Sequence, residues 1–237
     1  MREELIGRLN SVEISIDHPH YLVYRYYHAD LFRVLKKYSH GHLIDIGCGN
    51  KPYEIIIKQQ IEKYKGCDIV QSSDRRVDVI CPANKIPLPS ESFDTALSTQ
   101  TIEHVEDPQG LINEAYRLLK PGGHFILSGP MYWPLHEEPY DFFRFTKYGF
   151  SSLLKNAGFA VEEESANGGK WALCGQALIQ AAYPDIETPN SFKWRSLRLC
   201  FKLIGGIKGI NRIFSKLDDE NKDVSNTMNY VFVAKKM

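Results

Sequence analysis

Apolar residues along this chain fall into two alternating patterns. Short apolar runs bounded by glycine, proline or an acid read as buried strands, and longer stretches with apolar positions three and four apart read as helices. His20–Tyr38 (HYLVYRYYHADLFRVLKKY) reads as a helix with an aromatic-rich face, and His42–Ile46 (HLIDI) as a strand. Tyr53–Tyr64 (YEIIIKQQIEKY) has helical spacing, with Pro52 suited to its first turn. Tyr64–Val70 (YKGCDIV), Val77–Ile80 (VDVI) and Phe93–Thr99 (FDTALST) read as strands. Pro108–Gly123 (PQGLINEAYRLLKPGG) reads as an amphipathic helix closed by Pro121-Gly122-Gly123, and His124–Pro130 (HFILSGP) as another buried strand. A helix from Thr146 to Gly158, a strand from Ala160 (AVEEES) and a last strand at Asn229–Lys236 (NYVFVAKK) complete the pattern.

Strands and helices alternate through about residue 165. That rhythm predicts a mainly parallel sheet with helices on both faces. Gly168–Thr227 holds helical patterns without an obvious strand and reads as a helical insertion before the final strand. The expected organisation is a single α/β domain over residues 1–237, with 1–39 as an N-terminal helical cap and 168–227 as an insertion capping the acceptor side.

Composition narrows the function classes. Lys+Arg and Asp+Glu both number 29, so no global attraction to nucleic acid is indicated. The five cysteines, Cys48, Cys67, Cys81, Cys174 and Cys200, form no C-x-x-C pair and read as small core hydrophobes of a reduced, cytoplasmic protein. The polar N-terminus lacks a signal-peptide core, and no apolar run approaches the length of a membrane span.

Candidate chemistry begins at LIDIGCGNKPY, Leu43–Tyr53, where the first strand runs into Gly47 and Gly49. In open α/β sheets ligands sit at the carboxyl ends of strands. The alternative is a tight strand-to-helix turn with no ligand. Dinucleotide sites carry a third glycine where this chain has Pro52. Asp45, just before Gly47, would repel a pyrophosphate and attract an ammonium. Asp68, about twenty residues on, ends the second strand and can take the hydroxyls of a ribose. A ligand with an amino acid end and a ribose fits both carboxylates; S-adenosylmethionine is one.

LIDIGCGNKPY, GCDIV, IPLPSESFDTALSTQTIEHVEDP and AYRLLKPGGHFILSGP, in this order and spacing, resemble the class I S-adenosylmethionine-dependent methyltransferases of the type 11 group. The resemblance covers roughly residues 40–165. It implies a Rossmann-like, seven-stranded, mostly parallel sheet whose last strand runs antiparallel. It implies that Asp45, Gly47, Cys48 and Gly49 line the methionine end of the cofactor and that Asp68 binds its ribose, with Ile69, Thr99 and Gln100 as further contacts. Members often carry an acid for the adenine amino group where this chain has Pro82. Adenine recognition then rests on the backbone near Ala83 and Asn84, or on the Asn84 side chain, with Asp78 a poorer candidate.

Methyl transfer from a sulfonium is an in-line displacement that requires neither a covalent nucleophile nor a metal. The enzyme aligns the nucleophile and, for a hydroxyl, accepts its proton. TIEHVEDP places Glu103 and His104 after the fourth strand, with His104 a cofactor contact, a base, or a packing residue at a helix entry. Gly129–Phe150 forms a long loop after the fifth strand, similar to the P…H…P-x-D-x-x-R-x-T loop of one branch of these enzymes associated with surface-glycan biosynthesis. His136 is the candidate general base, because histidine ordinarily titrates near neutrality. Asp141 either orients it or pairs with Arg144 as a structural brace. A His-Glu-Asp metal site is conceivable, but the spacing matches no strong metal template.

Asn190–Leu217 carries seven Lys or Arg and no acid, with Trp194, Leu197, Phe201 and Ile204, then Ile207, Ile210, Phe214 and Leu217, at helical spacing. It reads either as a buried helical cap or as a basic amphipathic segment contacting the inner membrane face. The expected acceptor is a hydroxyl on a sugar or other small polar molecule, lipid-linked if the membrane reading holds. N- or C-methylation of a small metabolite or quinone precursor, and a non-catalytic binding module of the same fold, are the alternatives.

Overall fold

A computed structural model describes residues 12–187, 198–199, 201–221 and 223–237. The chain divides into two compact units. The first takes in Asp30–Ser165 and Asn229–Met237, the second Glu13–Ala29 and Ala166–Met228.

The first unit is built on a seven-stranded sheet. Its strands are β1 (Gly41–Ile46), β2 (Ile61–Asp68), β3 (Val79–Ile80), β4 (Phe93–Thr99), β5 (Leu119–Pro130), β6 (Phe159–Asn167) and β7 (Asn229–Lys236), in the order β3-β2-β1-β4-β5-β7-β6. β2, β1, β4 and β5 pair in parallel and β7 runs antiparallel to β5. Strands covered on both faces show no in–out alternation of burial, so even Asp45, Thr95 and Ser98 of the middle strands are buried among apolar neighbours. Leu43, Ile44, Ala96, Leu97, Phe125, Ile126, Leu127, Phe232 and Val233 are fully buried. The strand order reverses between β1 and β4, and the carboxyl ends there define the crevice where such sheets hold ligands.

Helices α1 (Tyr21–Tyr38), α2 (Glu54–Ile57), α3 (Pro108–Leu118) and α4 (Lys147–Asn156) accompany the sheet. The helix expected over Tyr53–Tyr64 is one turn long, and β2 already begins at Ile61. Ile57, Ile61 and Tyr64 have helical spacing, but the backbone from Ile61 onward pairs with β1, with Ile61 opposite Gly41 and Tyr64 opposite Leu43. Ladder bonds to a neighbouring strand outweigh a weak local preference for helix. Similarly, α3 stops at Leu118, before Pro121-Gly122-Gly123. That tripeptide lies in an irregularity at the start of β5, where the register jumps from Phe93↔Leu119 to Thr95↔His124.

Thr146 caps α4, its hydroxyl accepting the Gly149 amide at 3.1 Å. Thr146→Ala is expected to lower the free energy of unfolding by about 1 kcal/mol. The measurement is the urea midpoint at unchanged slope; Thr146→Ser should restore it, and an unmoved midpoint for the alanine variant would show the cap to be idle.

The second unit holds α5 (Lys170–Glu187) and α6 (Gly206–Glu220). Ile179, Phe201 and Ile210 form its buried cluster, with Ala182, Ile207 and Phe214 packed against it. The buried Asp218 carboxylate accepts the Gly169 and Ala172 amides at the start of α5. Asn211 donates to the carbonyls of Ile16 and His18. Of the basic stretch, the Ile207–Ile210–Phe214 face is therefore internal packing, while Leu199, Leu203, Ile204 and Ile213 are exposed. Residues 190–197 and Cys200 lie outside the described residues. Among the described residues no helix is long and apolar enough to cross a membrane.

Candidate functional site

The carboxyl end of β1 turns sharply at Gly47, whose φ is +79°. Its amide donates to the Cys67 carbonyl at 2.8 Å, and a Cβ there would lie 2.2 Å from the Thr101 hydroxyl. Only glycine fits, because the backbone sits in the left-handed region with a side chain from beyond β4 against it. The Cys48 amide also donates to Cys67, and Gly49, with φ +47°, donates to Asp68 Oδ2 at 3.0 Å. The turn is thus tied to the end of β2 by three hydrogen bonds. Cys48 is buried, and burial pushes its thiol far above the ordinary range, so it is a packing residue of the turn rather than a nucleophile.

Asp45 is 1% exposed. Its Oδ2 accepts the Tyr64 hydroxyl at 2.6 Å, while Oδ1 is buried without a hydrogen-bond partner. Burial raises its carboxyl to about 7, against the pull of the Tyr64 hydrogen bond and of Lys51. Lys51, two residues past Gly49, is also buried; its ammonium lies 2.6 Å from Asp78 Oδ2 and 5.3 Å from the Tyr64 ring centre. Its stem passes over Gly66, where a Cβ would lie 2.7 Å from the Lys51 Cε. Asp78 also accepts the Gly66 amide at 2.6 Å. Lys51 and Tyr64 were not legible as site residues: a lysine after a glycine turn ordinarily reads as solvated, and its partner is 27 residues away in sequence.

Asp68 carries three amides at the end of β2. Oδ2 accepts from Gly49, and Oδ1 from Ile69 at 2.7 Å and Val70 at 3.4 Å. Ile69 beside it exposes 45% of its surface, an apolar ledge at the strand end. Further along, Ala83 is half-buried and Asn84 exposed, with the Asn84 amide 3.4 Å from Asp107, the residue that caps α3 through the Gly110 amide. Asp78 is engaged by Lys51 and the Gly66 amide. Beyond β4, Thr99 precedes Gln100, whose φ is +49° and whose amide and side chain both turn to Ser128 on β5.

The turn after β4 and the loop after β5 meet in a second cluster. Glu103 is 1% exposed, and its Oε2 is buried without a hydrogen-bond partner. Burial raises its carboxyl to about 8, over the opposing effects of its own amide and of Arg144. The Glu103 carbonyl accepts the Phe142 and Phe143 amides, which fastens the loop to the turn. His104 Nδ1 lies 2.8 Å from the Tyr140 carbonyl, and its ring meets the His136 ring edge-on at 4.7 Å.

His136 is framed by Asp141, whose side chain is 1% exposed. Asp141 Oδ2 accepts the His136 amide at 3.0 Å and lies 3.2 Å from His136 Nδ1. Arg144 takes the same carboxylate in a two-pronged grip, Nη1 to Oδ1 at 2.6 Å and Nη2 to Oδ2 at 2.7 Å. It also donates to the carbonyls of Trp133, Pro134 and Phe143. Burial alone would raise the Asp141 carboxyl; the hydrogen bonds from Arg144 and from the His136 amide outweigh it and hold it down at about 2. Asp141 therefore does both things open from the sequence: it braces the loop through Arg144 and orients His136.

Residues 44–127 match the family model described as a methyltransferase domain. The chain is 27% identical over 135 residues to a Mycolicibacterium smegmatis protein named "Probable S-adenosylmethionine-dependent methyltransferase", covering 51% of this chain and 52% of that one. It is 31% identical over 135 residues to the 2-methyl-6-phytyl-1,4-hydroquinone methyltransferase of Arabidopsis thaliana, covering 51% of this chain and 34% of that protein. The matches thus span about half or less of these relatives' own length. Among solved structures, a SAM-dependent methyltransferase from Archaeoglobus fulgidus shares the fold with a TM-score of 0.56 at 18% identity, over 88% of this chain and 92% of that one.

Proposed function

We propose that this chain, which carries a class I S-adenosylmethionine-dependent methyltransferase domain, transfers the cofactor's methyl group to a hydroxyl on a sugar or other small polar acceptor. The observation that carries the cofactor reading is the unpartnered, buried Oδ1 of Asp45 beside the Gly47 turn, with Asp68 at the end of the neighbouring strand. A carboxylate oxygen buried without a donor is costly, and an ammonium supplies the missing one. The bound cofactor would supply an activated methyl on a positive sulfur. Asp45, Gly47, Cys48 and Gly49 would hold its methionine end; Asp68 and Ile69 would hold the ribose; the segment at Ala83 and Asn84 would meet the adenine.

The acceptor reading rests on the His104–His136 pair. With Nδ1 of His136 on Asp141, Nε2 is the nitrogen left to take the acceptor's proton as the new bond forms. Asp141, held as a carboxylate, stabilises the resulting imidazolium. A second reading, carbon methylation of a quinone precursor, is favoured by the Arabidopsis relative and by the exposed Leu135, Tyr140, Phe142 and Phe143 on the loop, which offer apolar surface to a ring. Product analysis by NMR separates the two, since a methyl on oxygen and a methyl on ring carbon differ in shift. A lipid-linked acceptor at an anionic membrane face is the corollary if residues 190–217 dock there, and a cytoplasmic location goes with it.

The charge state of Asp45 makes the cofactor reading testable by pH. With the carboxyl held up at about 7, most of it is protonated below that pH. Pairing with an ammonium requires the carboxylate, so binding expels a proton. Affinity should therefore rise with pH, by at most about tenfold per unit, between about pH 5 and 7. Calorimetry in buffers of different ionisation heat reads the released proton directly. No binding at any pH would end the methyltransferase reading; binding with no pH dependence would take Asp45 out of it.

A further inference from the structure

We infer that Glu103, His104 and His136 form a binding site for one divalent first-row transition metal ion, with zinc as the reference case. One donor atom from each of the three lies within 4.8 Å of the others, which among the described residues is the one such cluster of three. Metal bonds of about 2.0–2.2 Å put tetrahedral donors roughly 3.3 Å apart. A closing movement of at most about 1.5 Å, available to a histidine on a surface loop, brings this set to that spacing.

Two features separate this cluster from a chance meeting of polar groups. Each histidine has its Nδ1 facing an acceptor: His104 the Tyr140 carbonyl at 2.8 Å, His136 the Asp141 carboxylate at 3.2 Å. Such contacts fix the Nδ1–H tautomer and leave Nε2 with its lone pair, which is how proteins orient metal-binding imidazoles. His104 Nε2 indeed lies on the cluster side, 4.0 Å from both Glu103 Oε1 and Glu137 Oε2. The second feature is Glu103 itself, 1% exposed with Oε2 unpartnered. Arg144, the guanidinium nearest in the loop, is committed to Asp141 and three carbonyls. Two imidazoles and a carboxylate suit a borderline dication, and three protein donors leave a coordination position open.

What the ion would do there rests on the methyl-transfer reading and, with the ion bound, replaces His136 as its base; ion binding itself does not rest on that reading. An acceptor hydroxyl at the open position loses its proton more readily when its oxygen is coordinated. His136 Nε2 then serves as a ligand and no longer takes the proton, which leaves to water past the partly exposed Glu137 carboxylate. The alkoxide oxygen forms its bond to the methyl carbon as the carbon–sulfur bond breaks, and that electron pair stays on sulfur to give the neutral thioether.

The test is a titration of the chelator-stripped full chain with Zn2+ by calorimetry, and with Co2+ followed by visible absorption. One ion per chain is expected. His136→Gln and Glu103→Gln should each weaken binding at least about tenfold, and Asp141→Asn, which loosens both the contact on His136 Nδ1 and the grip of Arg144 on the loop, about 10–100-fold. Glu103 is buried, so its variant is checked for folding by circular dichroism; His136, on the loop, keeps the test alive if that variant fails. No bound ion, or binding that both ligand variants leave unchanged, overturns the inference, the latter marking an adventitious site elsewhere such as the His18–His20 ring pair. Cofactor affinity is read on the same samples. Ion binding without cofactor binding refutes methyl transfer and keeps the metal site; cofactor-dependent turnover in the stripped protein, unchanged by added ion, keeps methyl transfer and removes the ion from it.

Discussion

His136→Ala is expected to lower the turnover of bound substrate by about 10²–10⁴-fold, the usual contribution of a positioned base, while cofactor affinity stays unchanged. The structure makes the variant unusually clean. The loop is held by the His136 amide on Asp141, by Arg144 on Asp141 and by the Phe142 and Phe143 amides on Glu103. None of these uses the imidazole as the group removed, so the frame survives and the loss reports the ring. Asp141→Asn is a different experiment. It breaks the two-pronged grip of Arg144 as well as the contact with His136 Nδ1, so both turnover and acceptor KM should worsen. Wild-type turnover in His136→Ala together with an inactive His104→Ala would move the proton transfer to the turn after β4. If both variants stay active, alignment alone drives the reaction, and the acceptor is an amine or carboxylate.

Asp68→Ala should show the opposite signature. Cofactor affinity is expected to fall by about 1–3 kcal/mol through lost charge-assisted hydrogen bonds, with turnover at saturating cofactor retained. Two effects add. The ribose loses its acceptor, and the glycine turn loses the Gly49 amide contact that ties it to β2. Asp68→Asn separates them, because the amide can still accept from Gly49 while losing the charge. Equilibrium binding measured by calorimetry decides the matter. An affinity unchanged in both variants would remove Asp68 from the cofactor site and leave it as a brace for the Gly47–Gly49 turn.

Some of this was determined by the sequence alone. The middle strands of a parallel sheet are buried on both faces, so their apolar runs at Leu43–Ile46, Phe93–Thr99 and His124–Leu127 are visible without any neighbour. Gly47, Gly49, Asp45 and Asp68 sit at strand ends in one local pattern, and Thr146 announces the start of α4 in the same way. Where local spacing and tertiary pairing disagree, the sequence misleads: Ile61–Tyr64 has helical period but becomes strand because β1 offers its backbone a ladder.

Only the tertiary structure decided how charges are distributed among these residues. Burial is a property of what surrounds a side chain, not of the side chain, so nothing in the sequence distinguishes Asp45 and Glu103, held up near or above neutrality, from Asp141, held down at about 2. Lys51 meets Asp78 across 27 residues, and Glu103 and His104 meet His136 across more than thirty, because the turn after β4 and the loop after β5 leave adjacent strands of one sheet. Contacts between strand ends are set by strand order, and strand order is fixed by packing the whole chain, which no local period encodes.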